Sequence, residues 1–575
     1  MTTPRSVVFL RSSLYLTHYL IVMNRKPILI LALVVAAFLV GFTAARTGGI
    51  VSVYIIQHAE KLFGFSFSNG QREAMIRGLE VNLQAYGEIR AFGLANEVMP
   101  ALVFNPFPNG FIPPAMGNPH RWKIPDNVAL PADLNELAWF SIPELASLIK
   151  NRKISVEKLT LFFLSRLQEK GDTLKAVVTL TRERALRHAR QADQEIAQGR
   201  YRGILHGIPY GAKDLLAVPG YFTTWGASPF KTQKFDQTAA VVQRLDEAGA
   251  ILLAKLSLGE LAMGDIWFGG LTRNPWNLEQ GSSGSSAGSG SAVAAGLLPF
   301  AIGSETLGSI VSPATRNGVT GLRPTFGRVS RNGAMALSWS MDKIGPMARS
   351  ARDCAIVLQS IIGLDPDDPT TVEAGFYIPA YKNLRNLRIG YIKSFFEADY
   401  PGKALDRQVL DDLKKMGFEL NAVEWDMPLP VQALRIILTA EAAAAFDELT
   451  VSGRDSLLVS QGPNAWPNIF RTSRFIPAVE YINANRIRTL LIERVNQLLS
   501  QYDVIVTPSF GGNQLLVTNL SGHPCLVMPN GFDSNGNPVS ISFIGNLFDE
   551  GKLVALGMAW QEFTGHHLKK PPLFN

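Results

Sequence analysis

Cysteine is nearly absent: Cys354 and Cys525 are the only two in 575 residues. Thiols so far apart match no metal-ligand spacing and build no disulfide framework. Cys354 falls in a helical pattern and Cys525 in an apolar, strand-like run, so both read as buried and inert. Long runs of one charge are also missing. The formal net charge is +7, yet no Lys/Arg run reaches five. Scattered basic residues of this kind argue against a nucleic-acid surface and for ordinary solubility. No Gly-x-Gly-x-x-Gly follows a strand, and there is no phosphate-binding loop. No tandem repeat of roughly 20–50 residues is present. His566 and His567 have no third ligand at metal spacing, so no metal and no cofactor are expected. His206 and His523 lie in Gly/Pro loops and read as structural. What remains is a globular composition, 47% apolar and 18% charged, with ample material for a large core.

The N-terminus departs from that pattern. Residues 27–45 (PILILALVVAAFLVGFTAA) carry no charge and follow Arg25 and Lys26. Thr43, Ala44 and Ala45 then offer small residues for cleavage. Residues 1–45 are therefore expected to be a signal peptide or a membrane anchor, and the protein to be exported or membrane-associated through 27–45. Met23 offers an alternative start. Residues 46–130 form a separate extension. Helical periodicity predicts a helix over 67–90, with Ala74, Ile76, Leu79, Val81, Leu83 and Tyr86 apolar. The Pro/Gly-rich stretch 105–119 (NPFPNGFIPPAMGNP) reads as a linker or wrapping arm. This extension is a candidate cover for the site or a homodimer contact.

From about Leu134 the chain alternates helix and strand, and 131–575 reads as one domain. SIPE at 141–144 is a capping box with proline in the first turn. Helices are expected over 155–170, 181–198, 238–249, 403–416, 475–499 and 551–563. Strands are expected at 174–180, 250–255, 298–303, 387–392 and 503–507. Such alternation implies an α/β fold, a sheet covered by helices on both faces.

Three segments carry chemistry. Residues 280–296 (QGSSGSSAGSGSAVAAG) have a linker's composition, but they run into a helix-forming segment and then a strand. Small side chains inside an α/β unit let backbones approach closely. GSETLGSIVSP at 303–313 places Ser309 on a glycine-containing turn after a strand, where backbone N–H groups can meet an oxyanion. LHGIPYGAKDLL at 205–216 ends an apolar strand in Lys213. A desolvated lysine can act as a base near neutral pH. A surface lysine paired with Asp214 is the bland alternative.

These segments resemble the amidase signature family of serine hydrolases. The family pattern Gly-Ile-Pro-x-x-x-Lys-Asp, then Gly-Gly-Ser-Ser-Gly-Gly-Ser, then Gly-Gly-Ser-Ile-Arg corresponds to GIPYGAKD (207–214), SGSSAGS (283–289) and LGSIV (307–311). RNPW (273–276), GVTGLRPTFGRVS (318–330), DKIGP (342–346) and GHPCLVMPNG (522–531) also fit. The likeness covers about residue 134 to the end. It implies an amidase-signature fold with a large, mostly parallel mixed sheet. It also implies a triad of Lys213 as base, Ser285 as relay and Ser309 as nucleophile, with positions 285 and 309 at the family's interval of 24. Further implications are a cis peptide before the relay, at Gly284–Ser285, and an oxyanion hole of N–H groups from Thr306, Leu307, Gly308 and Ser309. The substrate is then a small-molecule or peptide amide, hydrolysed through an acyl-enzyme.

Two departures stand out. Leu307 replaces a common glycine, so the turn must keep φ negative there. Val311 replaces a common arginine, which removes a positive charge near the site. Glu305 for a frequent aspartate is milder. Gly284-Ser-Ser286-Ala-Gly288 also matches a nucleophile elbow, but it follows a loop rather than a strand. Two further readings compete with a hydrolase. One is a glutamine-hydrolysing amidotransferase-like subunit, suggested by ELAMG at 260–264 and TRNPW at 272–276. The other is a catalytically inactive binding homologue, suggested by Leu307.

Overall fold

A computed structural model describes residues 51–91, 94–96, 98 and 100–575. The apolar segment 27–45 lies outside them. Among the described residues no helix is long and apolar enough to cross a membrane. The chain divides into two compact units, Met1–Gly93 and Leu94–Asn575.

The described part of the first unit is two helices. The expected second one spans Asn69–Ala91. Val53–Phe63 precedes it: the Ser52 hydroxyl accepts from the Ile55 N–H and Gly64 closes the helix at φ 72°. Arg72 links the two, donating to both carboxylate oxygens of Glu60 at 2.9 Å.

The second unit is built on an 11-stranded sheet. In chain order the strands are β1 (Val177–Leu180), β2 (Pro209–Lys213), β3 (Ile251–Leu256), β4 (Phe300–Glu305), β5 (Thr320–Arg323), β6 (Lys343–Ala348), β7 (Ile389–Ile392), β8 (Leu420–Val423), β9 (Val504–Pro508), β10 (Cys525–Phe532) and β11 (Pro538–Ile544). Their spatial order is β1-β3-β2-β4-β6-β5-β10-β11-β9-β7-β8. Parallel pairing is confined to two runs, β3-β2-β4 and β9-β7-β8. The other six pairings are antiparallel. The large mixed sheet of an α/β fold is thus present, with the parallel share in those two runs. Parallel neighbours need long crossovers, whereas β10 and β11 are joined by a tight turn that forces antiparallel pairing.

Helices cover both faces. Thr320 and Gly321 are consecutive on β5, so they face opposite sides. The Thr320 hydroxyl accepts from Gln561 at 2.9 Å, on the helix Glu550–Thr564. A Cβ on Gly321 would instead meet Ile310 and Ala314, at the helix Val311–Asn317. The strand β3 is buried along its whole length, which is why its sequence runs apolar without alternation.

Most expected elements appear with shifted ends. The 141–144 capping box is complete, with both reciprocal bonds formed. The helix begun after Ser155 runs on to Leu174, so the strand expected from 174 starts only at Val177. The strand expected at 298–303 lies two residues later and ends on Glu305. Strands β5, β6, β8 and β11 are additional to those expected. In β6, Gly345 and Pro346 disguise a central strand, because proline cannot donate to the ladder.

The Pro/Gly-rich arm belongs to this unit and packs along it. Phe107 and Phe111 stack at 5.0 Å and lie 5.9 and 6.1 Å from the ring of Phe548. The Gly375 N–H donates to Pro114 O at 2.9 Å. Just before the arm, the Phe104 ring lies 3.5 Å from the Arg488 guanidinium.

Candidate active site

Lys213 ends β2, and the parallel pairing of Ala212 with Ile302 brings it beside the end of β4. Its ammonium is fully buried. Nζ donates to Ser285 Oγ at 2.8 Å, Ser304 Oγ at 2.9 Å and Ser286 Oγ at 3.1 Å. Burial drives this lysine down to about 7, while the more distant charges of Asp342 and Glu305 pull the other way. The bland alternative, an ion pair with Asp214, is not what forms. Asp214 faces Lys255 at 2.7 Å, with both groups buried, and also accepts from Thr224 N at 2.9 Å.

The Gly/Ser segment reaches Lys213 by close backbone packing. A Cβ on Gly284 would overlap the carbonyl of Gly264, so only glycine fits there. The peptide Gly284–Ser285 is cis. The helix Ala287–Ala294 follows at once, and small residues let it lie close against neighbouring backbone. A Cβ on Gly288 would stand 2.5 Å from Ala176 O. The segment is therefore part of the packed interior rather than a linker.

Ser286 is held differently from Ser285. Its hydroxyl donates to Ser304 O at 3.0 Å and accepts from Ser304 N at 3.1 Å, in a fully buried position. A hydroxyl saturated in this way makes a poor nucleophile, which removes the main support for the elbow reading. His523, the base that reading would need, is bound to Ser521 at 2.8 Å and is lowered by burial to about 3.

Ser309 lies in the turn between β4 and the helix Val311–Asn317. The left-handed conformation of this turn falls on Gly308, at φ 85°. Leu307 is not among the positive-φ residues, so its side chain is tolerated where the family commonly has glycine. Among the described residues none accepts a hydrogen bond from the N–H groups of Thr306, Leu307, Gly308 or Ser309. Four successive N–H groups are thus left for another acceptor. The Ser309 carbonyl accepts from Ser286 N at 3.2 Å, which holds the turn against the Gly/Ser segment. No hydrogen bond joins the Ser285 and Ser309 hydroxyls.

Two carboxylates that the sequence did not single out as site residues fix this turn. Glu305 accepts from Ile310 N at 2.9 Å and Val311 N at 3.0 Å through one oxygen. Its other oxygen accepts from Arg323 at 2.6 Å and Asn519 at 2.9 Å. Burial alone would raise Glu305, but Arg323, the Val311 N–H and Asn519 overcome it and hold the carboxyl at about 2. Asp342 accepts from Thr306 Oγ1 at 2.5 Å, Leu337 N at 2.8 Å and Ser338 N at 3.0 Å. Burial keeps its carboxyl above the ordinary value despite these donors. Glu305 and Asp342 lie within segments quoted for their likeness to the family, but their role depends on contacts across the sheet. Val311 is fully buried behind the turn, so its position has no room for an exposed charge.

A cavity of about 70 Å³ adjoins the turn. Ser304, Thr306, Asp342, Met335, Leu337 and Trp339 are among the residues that line it.

Comparison with known proteins finds a family and several relatives. The model of the family described as "Amidase" matches residues 158–554. A glutamyl-tRNA(Gln) amidotransferase subunit from Methylococcus capsulatus is 34% identical over 486 residues, covering 75% of this chain and 98% of its own. The solved native peptide amidase of Stenotrophomonas maltophilia is similar with a TM-score of 0.67 and 30% identity, over 77% of this chain and 100% of that one. An amidase family protein from Bacillus anthracis aligns with a TM-score of 0.68 and 29% identity, over 76% and 93% of the two chains.

Proposed function

This chain belongs to the amidase signature family, and on that footing we propose that it hydrolyses the C–N bond of a small-molecule or peptide amide with Lys213, Ser285 and Ser309 as its triad. The chain is an amidohydrolase by its family; the assignment of roles and the kind of amide are our reading. The observation that carries it is the 2.8 Å contact between a fully buried, mostly desolvated lysine and the Ser285 hydroxyl.

Neutral Lys213 takes the proton of Ser285, and Ser285 takes that of Ser309. Ser309 Oγ then adds to the amide carbonyl carbon. The resulting oxyanion is met by the N–H groups of Thr306, Leu307, Gly308 and Ser309, whose value lies in being fixed before the charge appears. Collapse of the adduct breaks the C–N bond, and the departing amine receives the proton held on the Ser285–Lys213 pair. Water then adds to the Ser309 ester by the same route and releases the acid. The gap between the two serine hydroxyls closes when substrate is bound, since catalytic contacts are commonly loose in the free enzyme. Release of ammonia or amine from primary, aryl, fatty and peptide amides, lost in Ser309→Ala, is the test. A panel with no turnover, together with no fluorophosphonate label on Ser309, sinks the reading.

The name of the amidotransferase relative favours a second reading, in which glutamine is the amide and the ammonia passes to a partner. Glutamine as the best substrate of the panel selects it. Labelling of Ser309 excludes the inactive binding homologue under either reading.

We also read residues 1–45 as an export signal or membrane anchor, 46–130 as an extension and 131–575 as the catalytic domain. Cell fractionation and the N-terminal sequence of the mature protein test the first of these. A cytosolic protein retaining residues 27–45 rules it out. The mass in solution decides whether the protein is a homodimer.

A further inference from the structure

Asn96 of the second unit lies before the residues matched by the family, yet it touches the wall of the cavity that adjoins the oxyanion turn at Thr306. The Ala336 N–H donates to Asn96 Oδ1 at 2.7 Å, and Asn96 Nδ2 donates to Ala336 O at 3.0 Å. The same Nδ2 reaches Ala445 O at 3.3 Å. Among the described residues no other hydrogen bond engages either backbone group of Ala336. The side-chain amide takes the place that a neighbouring peptide takes in a sheet.

Ala336 stands in the cavity wall between Met335 and Leu337. Its neighbours are tied to the catalytic domain itself. Met335 N donates to Leu215 O at 3.0 Å, and Leu337 N and Ser338 N donate to Asp342. Asp342 in turn holds Thr306 of the oxyanion turn. Ala336 is thus the point in this run that depends on Asn96. Apolar Leu215, Met335, Leu337 and Ile344 line the cavity together with the charged Arg331, Asp367 and Asp368. Its volume of about 70 Å³ is roughly that of two waters, enough for a short aliphatic substituent.

We propose that Asn96 is a positioning residue that sets the cavity wall through Ala336 and thereby limits the size of the acyl group accepted beside Ser309. The inference rests on the hydrolase reading given above. Without Asn96 both polar groups of Ala336 must turn to solvent, and the wall moves outward.

The test uses the full chain with Asn96→Ala and Asn96→Asp. Straight-chain amides from acetamide to hexanamide are assayed for kcat and KM, and backbone hydrogen exchange is followed at Ala336. Asn96→Ala is expected to shift the hexanamide-to-acetamide ratio of kcat/KM by about tenfold toward the longer chain, mainly through KM. Exchange at Ala336 accelerates in the same variant. Asn96→Asp keeps the acceptor for the Ala336 N–H, so it retains more of that protection and shifts the ratio less. A ratio unchanged within about twofold, or a uniform fall in kcat along the series, overturns the proposal. If Asn96→Ala does not fold, rapid exchange at Ala336 in the natural protein overturns it equally. Should the natural protein hydrolyse no amide and take no fluorophosphonate, the hydrolase reading fails, while the Ala336 exchange still decides whether Asn96 holds the wall.

Discussion

Lys213 Nζ and Ser285 Oγ meet at 2.8 Å where almost no solvent reaches, Lys213 being fully buried and Ser285 1% exposed. A charged ammonium in such a place has lost its hydration, and its other hydrogen-bond partners are neutral oxygens of Ser286 and Ser304. The acids whose charges act on it, Asp342 and Glu305, are committed elsewhere. The pair is therefore poised to pass a proton rather than to hold a charge.

The rate should follow the protonation of this lysine. With Lys213 near 7, kcat/KM rises as pH passes about 7 and levels off above it. Stability responds to the same group. Its folded value lies below its ordinary value of 10.5, so unfolding takes up a proton between about 7 and 10.5. The contribution of Lys213 to stability therefore grows as pH rises through that window. Lys213→Met should abolish hydrolysis and remove this part of the slope in denaturant titrations at pH 7 and 10. A flat rate profile from pH 6 to 9 would count against Lys213 as the base.

Ser309→Ala is expected to lower amide hydrolysis by about 10⁴-fold or more and to abolish covalent labelling, with the melting temperature little changed. Ser286→Ala removes one hydrogen bond from Lys213 and two from Ser304, so it should cost about tenfold in rate and keep labelling at Ser309. Peptide mapping of the labelled protein separates the two serines. A label on Ser286 would revive the elbow reading.

Glu305→Gln leaves the buried Arg323 without its counter-charge. Thermal or denaturant unfolding should show a loss of about 3–5 kcal/mol. The natural carboxyl is held at about 2, below its ordinary 4.5, so its share of stability is present above 4.5 and fades as pH falls through 2. The variant should lack that acid-sensitive component. Equal stability of the two proteins at pH 7 would mean that the Arg323 pair contributes nothing net.

Gly308→Ala tests the turn. Its φ of 85° costs a side chain about 1–2 kcal/mol, and the new Cβ would lie 3.2 Å from Leu515 Cδ2. Small movements here displace the nucleophile and its N–H groups together, so labelling of Ser309 should slow by about 100-fold. Leu307→Gly, by contrast, leaves the left-handed position untouched and should label at a rate within a few-fold of the natural protein. Equal labelling of Gly308→Ala and the natural protein would show that the turn does not need its left-handed residue.

Much of this site could be read from residue order alone. Lys213 closes an apolar strand, Ser309 sits on a glycine turn after another, and the small residues around Ser285 make sense only inside a packed unit. Those signals are local, and local signals survive in one dimension. Glu305 and Asp342 gave no such sign, because their work is done across the sheet, on Arg323, Asn519, Thr306 and Leu337. The same holds for Asn96, whose partner lies 240 positions away. The strands that the sequence does not signal are hidden for a related reason. Gly345 and Pro346 break the expected alternation of β6, and only the neighbours on either side make that segment a strand.

The register of β2 against β4 has a further consequence. Ala212 pairs with Ile302, so Lys213 and Ser304 hang from the ends of two strands in the same ladder. Strands covered on both faces are the last part of a domain to open. Local opening at Asn96 leaves Lys213 and Ser304 together at the ends of this ladder. Heat inactivation should therefore coincide with loss of the whole sheet, leaving no long-lived state that is folded yet chemically disarmed.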